Sequence, residues 1–215
     1  HGAPQDLHSF PTRRSSDLGV SIGGPVDADR GVVYEPPNLP GWRAIPLRER
    51  LEAEFGVPVN VEHDAAACAL AEYLWGVERG PRRLVYLTCA TGFGAGMVFD
   101  GKPYYGANGR SPEIGHMRLA EDGPCAFGVA GSAEAFCSAR SLGRIAAWRF
   151  PGRWPAEPTP KEIEDLWRAG DAEAKEVIEC NAKMVGRCCA FLGDLLHPDP
   201  ITLRSLARHL GEPSL

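Results

Sequence analysis

Four places along the 215-residue chain bring together side chains able to do chemistry. Asp64 is the first. It stands where the extended run Val57-Pro-Val-Asn-Val61 gives way to the alanine-rich stretch Ala65 to Glu72. A carboxylate at a helix N-terminus meets the positive end of the helix dipole, which favours its ionised form. An ionised carboxylate can take a proton as a general base. The same position suits an ordinary capping aspartate, which stabilises a helix by about 1 kcal/mol. The second place is Thr91-Gly92-Phe93-Gly94-Ala95-Gly96. Glycines let backbone N–H groups approach an anion, and the Thr hydroxyl adds a donor. A plain hairpin bend would use the same residues. The third is Glu113-Ile114-Gly115-His116, whose carboxylate and imidazole could grip the vicinal hydroxyls of a sugar, bind a metal or cap a turn. The fourth is Glu134, either a functional carboxylate or an acid in the first turn of a helix.

The elements that must position these groups alternate between strand and helix. Val20-Ser-Ile22 reads as the end of a strand, the glycines and proline of residues 23–25 as a turn, and residues 31–34 as a short second strand. Pro36 to Pro40 cannot be helical, because each proline biases its predecessor away from the α region. Leu47, Leu51 and Phe55, at spacing four, predict an amphipathic helix over 47–55, closed by Gly56. Residues 57–61 form a predicted strand. The alanines after Asp64 favour a helix, with Ala67, Leu70, Ala71 and Leu74 on one face. Residues 84–89, the glycine turn and residues 95–99 predict a hairpin, not the strand-to-helix passage of a P-loop. Asp100-Gly101 is a second hairpin signal. Residues 106–131 are rich in Gly and Pro and carry no predicted element. Helices are predicted over 133–148, 161–169 and 172–196, a strand over 201–203 and a helix start over 205–210.

Composition narrows the function classes. Hydrophobic residues make up 44% of the chain and charged residues 24%, ordinary for a globular protein. The length predicts one or two domains. The net charge of −5 argues against broad nucleic-acid binding, which wants a basic face. No apolar run reaches 18 residues, so no membrane-spanning helix is predicted. The seven cysteines are odd in number and hold no C-x-x-C pair. Reduced thiols in a cytoplasmic protein fit better than a disulfide framework. Residues 1–18 have neither helical nor strand period. The run His8 to Leu18 resembles a translated DNA-sequencing adapter, so 1–18 is set aside as non-native; a native polar, basic tail is the alternative.

Taken in order, the motifs resemble those of the ROK family, which comprises bacterial glucokinase-like sugar kinases and related sugar-responsive repressors. Gly24-Pro25-Val26-Asp27 looks like the family's glycine-proline turn. Pro37-Asn38-Leu39-Pro40-Gly41-Trp42 looks like its P-N-L-x-x-W segment. Val61-Glu62-His63-Asp64-Ala65 looks like V-E-N-D-A, and Thr91 to Gly96 like the second phosphate motif T-G-I-G-x-G. Glu113 to His116 is the E-I-G-H signature. The resemblance implies an α/β, two-lobed, actin-like ATPase (ribonuclease H-like) fold. Residues 19–80 would be the remnant of the N-terminal lobe and 81–215 the C-terminal lobe, truncated at its end. Asp64 would be the catalytic base. Asn38, His63, Asp64, Glu113, His116 and Glu134 would contact a hexose in the cleft, and Thr91, Gly92, Phe93 and Gly94 would contact ATP phosphates with Mg²⁺. The implied function is ATP-dependent phosphorylation of a hexose hydroxyl, with the sugar-binding domain of a repressor as the alternative. The family often forms dimers, so a homodimer is an expectation.

The sequence also departs from the family pattern. His63 replaces the usual Asn before the catalytic Asp, and an imidazole offers hydrogen bonds with a different reach. Many members bind zinc through the E-I-G-H histidine and three cysteines in C-x-C-G-x-x-G-C. Here only His116 and Cys125 remain, with Phe127 and Ser132 at thiolate positions. Structural zinc wants four protein ligands, so none is expected. The first phosphate motif, Asp-x-Gly-Gly-Thr, is absent upstream of Gly19, and Arg204-Ser205 stands where many members have Gly-Gly near adenine. The chain as written is therefore expected to be inactive as a kinase.

Overall fold

The computed structural model describes residues 17–36, 39–76, 80–107 and 109–204. They fall into two units, one running up to Tyr86 and including Gly96–Pro112, the other made of Leu87–Ala95 and everything from Glu113 onward.

In the first unit, strand β1 (Leu18–Ile22) is followed by three two-residue strands, β2 (Val26–Asp27), β3 (Val32–Val33) and β4 (Ile45–Pro46). These three form an antiparallel sheet in the order β2-β3-β4. Helix α1 (Leu47–Phe55) has the predicted bounds, and Gly56 caps it in the left-handed conformation. β5 (Val59–His63) then pairs with β1 in parallel, Leu18 opposite Val59 and Ile22 opposite His63. Leu18, set aside with the adapter-like segment, is thus the first residue of a strand. Side chains alternate across a strand. Leu18, Val20, Ile22, Val59 and Val61 therefore share one face, packed with Val26, Val33, Leu47 and Leu51. Phe55, the third residue of the predicted apolar stripe of α1, is instead exposed. Helix α2 (Asp64–Trp75) starts directly at the end of β5.

Two strands pass through both units. β6 (Arg83–Cys89) and β7 (Phe93–Phe99) sit at the centre of a sheet that also contains β8 (Lys102–Pro103). Within the first unit, Leu84 of β6 and Val98 of β7 pack with Ala69 of α2. Gly96 is required there, because a Cβ would lie 2.0 Å from the carbonyl oxygen of Ala65.

The second unit is mainly helical. A single 3₁₀ turn (Ile114–His116) and a small hairpin of β9 (Cys125–Ala126) and β10 (Val129–Ala130) occupy the stretch that carries no predicted element. The predicted helix 133–148 is two helices, α3 (Ala133–Cys137) and α4 (Ser141–Arg149). The cause lies far off in sequence. Ser138 is extended, and the next amide, Ala139 N–H, donates to the Ala90 carbonyl at 2.7 Å. Asn181 spans the break by donating to Phe136 O and Ser141 Oγ. Helix α5 (Pro160–Arg168) begins with a capping box between Thr159 and Glu162, a start signal that satisfies two orphan amide donors. Helix α6 (Ala172–Leu196) has the predicted bounds and buries Ala174, Val177, Met184, Cys188 and Leu192 along one face. β11 (Ile201–Arg204) completes the four-stranded order β11-β6-β7-β8. The predicted helix start at 205–210 lies outside the described residues.

None of the seven cysteines is in a disulfide. Burial pushes the Cys89 and Cys188 thiols up to about 12, so they pack as neutral apolar groups. Among the described residues, no helix is long and apolar enough to cross a membrane.

Candidate functional site

The first unit positions His63 and Asp64. The strand-to-helix switch puts His63 at the helix N-cap and Asp64 in the first turn. Asp64 Oδ1 accepts a hydrogen bond from Ala65 N–H at 2.7 Å and lies 3.5 Å from His63 Nε2. Its other oxygen faces Gly23, where a Cβ would stand 3.1 Å from Oδ2. The turn glycine therefore leaves room for the carboxylate. The Asp64 side chain stays 53% exposed, so it is oriented yet open to a reactant. His63 Nδ1 is buried with no hydrogen-bond partner among the described residues, and such a group calls for an explanation.

Just before them, Glu62 accepts hydrogen bonds from His63 N–H and the Tyr105 hydroxyl. Burial pushes the Glu62 carboxyl above its ordinary range, and the hydrogen bonds from Tyr105 and His63 offset this only partly. The Tyr105 hydroxyl is pushed up as well, first by burial and then by Glu62. Glu62 and Tyr105 line a cavity of about 590 Å³ with Asn60, Leu70, Leu74 and Trp75. None of the described predicted site residues borders that cavity.

The second unit holds Thr91 to Gly94, Glu113, His116 and Glu134. Thr91 and Gly92 are exposed at the tip of the β6–β7 hairpin. Glu134 is buried, at 4% exposure. Its Oε2 accepts from Phe93 N–H at 2.5 Å, and its Oε1 lies 3.7 Å from Arg144 Nη1. One of the backbone donors predicted for phosphate is therefore already engaged by one of the carboxylates predicted for sugar. Gly115 is packed so closely that a Cβ would stand 2.6 Å from Phe93 O and 3.7 Å from Glu134 Oε2. The hairpin tip, the 3₁₀ turn and the start of α3 thus meet. Glu113 and His116 are exposed at that turn. Asn38 lies outside the described residues.

Ser132 and Phe127, which stand at the thiolate positions of the zinc pattern, have other work. Ser132 Oγ caps α3 by accepting from Ala135 N–H at 3.2 Å. The Phe127 ring stacks on His116, with centroids 5.0 Å apart. Among the described residues, no group of three or more His, Cys, Asp or Glu side chains could hold a metal ion.

Sequence reasoning missed Arg144, Gly23, Tyr105 and Phe127. Arg144 reaches Glu134 and Ser138 Oγ only because the chain breaks between α3 and α4. On one continuous helix, ten residues would separate Glu134 and Arg144 by about three turns. Gly23 carried only a turn signal, because Asp64, the acid it faces, lies 41 residues further along the chain. Tyr105, 43 residues from Glu62, carried none.

A sequence profile of the ROK family matches residues 7–207. The glucokinase of Halalkalibacterium halodurans is 32% identical over 94% of this chain and 65% of its own length. The DNA-binding transcriptional repressor Mlc of Escherichia coli is 29% identical over 92% of this chain and 50% of its own length. The ROK hexokinase from Thermus thermophilus superposes with a TM-score of 0.79 at 34% identity, covering 91% of this chain and 64% of that one. A ROK family glucokinase from Streptomyces griseus, in complex with glucose and AMPPNP, gives 0.70 at 33% identity, covering 86% and 64%. The chain thus spans about 65% of the length of the first glucokinase.

Proposed function

The chain belongs to the ROK family and has an α/β, actin-like ATPase fold, and from that premise we propose that it is the larger part of an ATP-dependent hexose kinase. The observation that carries this reading is the Asp64 carboxylate, oriented by Ala65 N–H, given room by Gly23 and half open to solvent. A general base needs an ionised oxygen held within hydrogen-bond reach of the proton it takes. In this reading Asp64 accepts the proton of the sugar hydroxyl as that oxygen bonds to the γ-phosphorus and the bond to the leaving diphosphate breaks.

The other roles divide by unit. In the first unit, His63 orients a sugar hydroxyl beside Asp64, and Asn38, which lies outside the described residues, is a further proposed sugar contact. In the second, Glu113 and His116 hold further hydroxyls. Glu134, tied to Phe93 N–H and close to Arg144, sets the position of the hairpin tip. The Thr91 hydroxyl and the exposed Gly92 backbone suit a phosphate, and Phe93 N–H contributes through Glu134 instead of directly. ATP supplies the phosphoryl group, and transfer depends mainly on positioning and charge neutralisation. Mg²⁺ bound with the ATP phosphates would supply part of that charge neutralisation. The reading includes a cytoplasmic setting and a homodimer, without nucleic-acid or membrane partners through this segment.

The test is hexose phosphate formation from glucose and ATP by the chain restored to the length of its kinase relatives. Product formation supports the proposal. A second reading, the sugar-sensing part of a repressor, is favoured by the similarity to Mlc. Glucose binding without any product would select that reading and sink the first.

A further inference from the structure

The β9–β10 hairpin turns on two residues only. Ala126 pairs with Val129 and Cys125 with Ala130, which leaves Phe127 and Gly128 at the bend. Both have positive φ, +50° at Phe127 and +74° at Gly128. This is the pattern of a type I′ turn, whose two central positions favour Asn, Asp and Gly. A bulky residue with positive φ is an outlier. Burial does not explain it, because Phe127 is 58% exposed. A local rule broken without a packing gain points to a role for the side chain.

Among the described residues the ring stacks on His116. Their planes lie 15° apart with centroids at 5.0 Å. His116 ends the 3₁₀ turn and is itself exposed, a setting in which an imidazole would otherwise sample several rotamers. We propose that Phe127 is a positioning residue for His116, its ring aimed by the left-handed turn so that it holds one face of the imidazole. The stack covers a face and leaves the in-plane nitrogens to hydrogen-bond a ligand. Fixing the ring before binding removes an ordering cost that a mobile histidine would incur on each encounter. The proposal rests on His116 being a sugar contact, as proposed above.

The role predicts that stability and sugar affinity respond in opposite directions. Phe127→Gly relieves the backbone and removes the ring. Phe127→Leu removes the aromatic face while keeping an apolar side chain. Phe127→Tyr keeps the stack. The experiment follows the His116 ring resonances of the 215-residue chain by NMR, with glucose titrations and melting curves for each variant. The parent and Phe127→Tyr should share a ring-current shift at His116, and both Phe127→Leu and Phe127→Gly should lose it. Glucose affinity should fall about three- to tenfold in the latter two and return to the parent value in Phe127→Tyr, with the melting temperature of Phe127→Gly equal to or above the parent's. An unchanged His116 resonance in Phe127→Leu overturns the proposal. So does a lowered melting temperature in Phe127→Gly that accompanies weaker binding, because that marks a merely structural residue. His116→Ala separates the two layers. If it leaves glucose affinity unchanged, or if the parent chain shows no glucose response, the reading of the sugar site fails. If it weakens binding while Phe127→Leu does not, the positioning role alone fails.

Discussion

Among the described residues of the first unit, those with proposed chemistry, His63 and Asp64, are neighbours in the chain. Their geometry follows from one local event, the end of β5 and the start of α2. In the second unit the corresponding residues come from three separate segments. The Phe93 amide meets the Glu134 carboxylate across 41 positions, and Gly115 closes against both. A site made by a strand-to-helix switch needs little beyond the two elements. A site assembled from a hairpin tip, a 3₁₀ turn and a helix start depends on every long-range hydrogen bond among them. The first unit should therefore lose chemistry when its site residue changes, whereas the second should lose structure and chemistry together.

The sharpest test is Asp64→Asn in the restored-length protein. The amide keeps the size of the side chain and can still accept from Ala65 N–H, but it cannot take a proton. Turnover should fall by roughly 10²- to 10⁴-fold, with sugar affinity and melting temperature close to the parent's. A coupled phosphorylation assay and calorimetric sugar titration measure the two sides. Near-normal turnover would remove Asp64 from the mechanism. A large loss of stability would erase the contrast between the units.

Glu134→Ala should behave differently. It leaves Phe93 N–H without its acceptor and takes a carboxylate away from Arg144, both in a largely buried setting. An orphaned buried donor costs about 1–3 kcal/mol, and at this chain length about 1 kcal/mol moves the melting temperature by roughly 2–4 °C. Glu134→Gln keeps an acceptor for Phe93 and should recover much of that loss. Thermal melts of the two variants decide this. Equal melting temperatures for parent and Glu134→Ala would show that the hairpin tip does not need the contact.

The same contrast explains what could be read in advance. The α1 and α6 helices have their predicted bounds because apolar spacing and end signals lie within each segment. Asp64 was legible for a similar reason, since the change from β-type to alanine-rich sequence marks its place. The helix predicted over 133–148 breaks after Ser138, where Ala139 N–H donates to the Ala90 carbonyl, nearly fifty residues away. The β9–β10 hairpin was hidden because Phe127 fills a turn position that asparagine or glycine would have advertised. The Glu134–Phe93 bond joins a residue read as a sugar contact to one read as a phosphate contact. Spacing alone could not pair them, because nothing local brings α3 to the hairpin tip.

The smallest expected effect refines the account of the first unit. Glu62, one residue before His63, titrates above its ordinary value of 4.5, mainly because it is buried. A raised folded value means that the native state binds the proton more tightly than the unfolded chain. The stabilisation linked to Glu62 is therefore complete below about pH 4 and is lost as pH rises through the folded value. Glu62→Gln does not titrate, and its amide can still bond to Tyr105 and to His63 N–H. Any change in those hydrogen bonds shifts stability by the same amount at every pH. The ionisation penalty alone changes with pH, so the stability of the variant minus that of the parent should grow from pH 4 towards neutrality and then level off. Urea unfolding of both proteins across that range measures the difference. Parallel curves would mean that Glu62 keeps an ordinary carboxylate value and that the first unit bears no charge penalty at its strand end. A widening gap would show that the carboxylate beside His63 costs stability, retained where the chain turns towards Asp64.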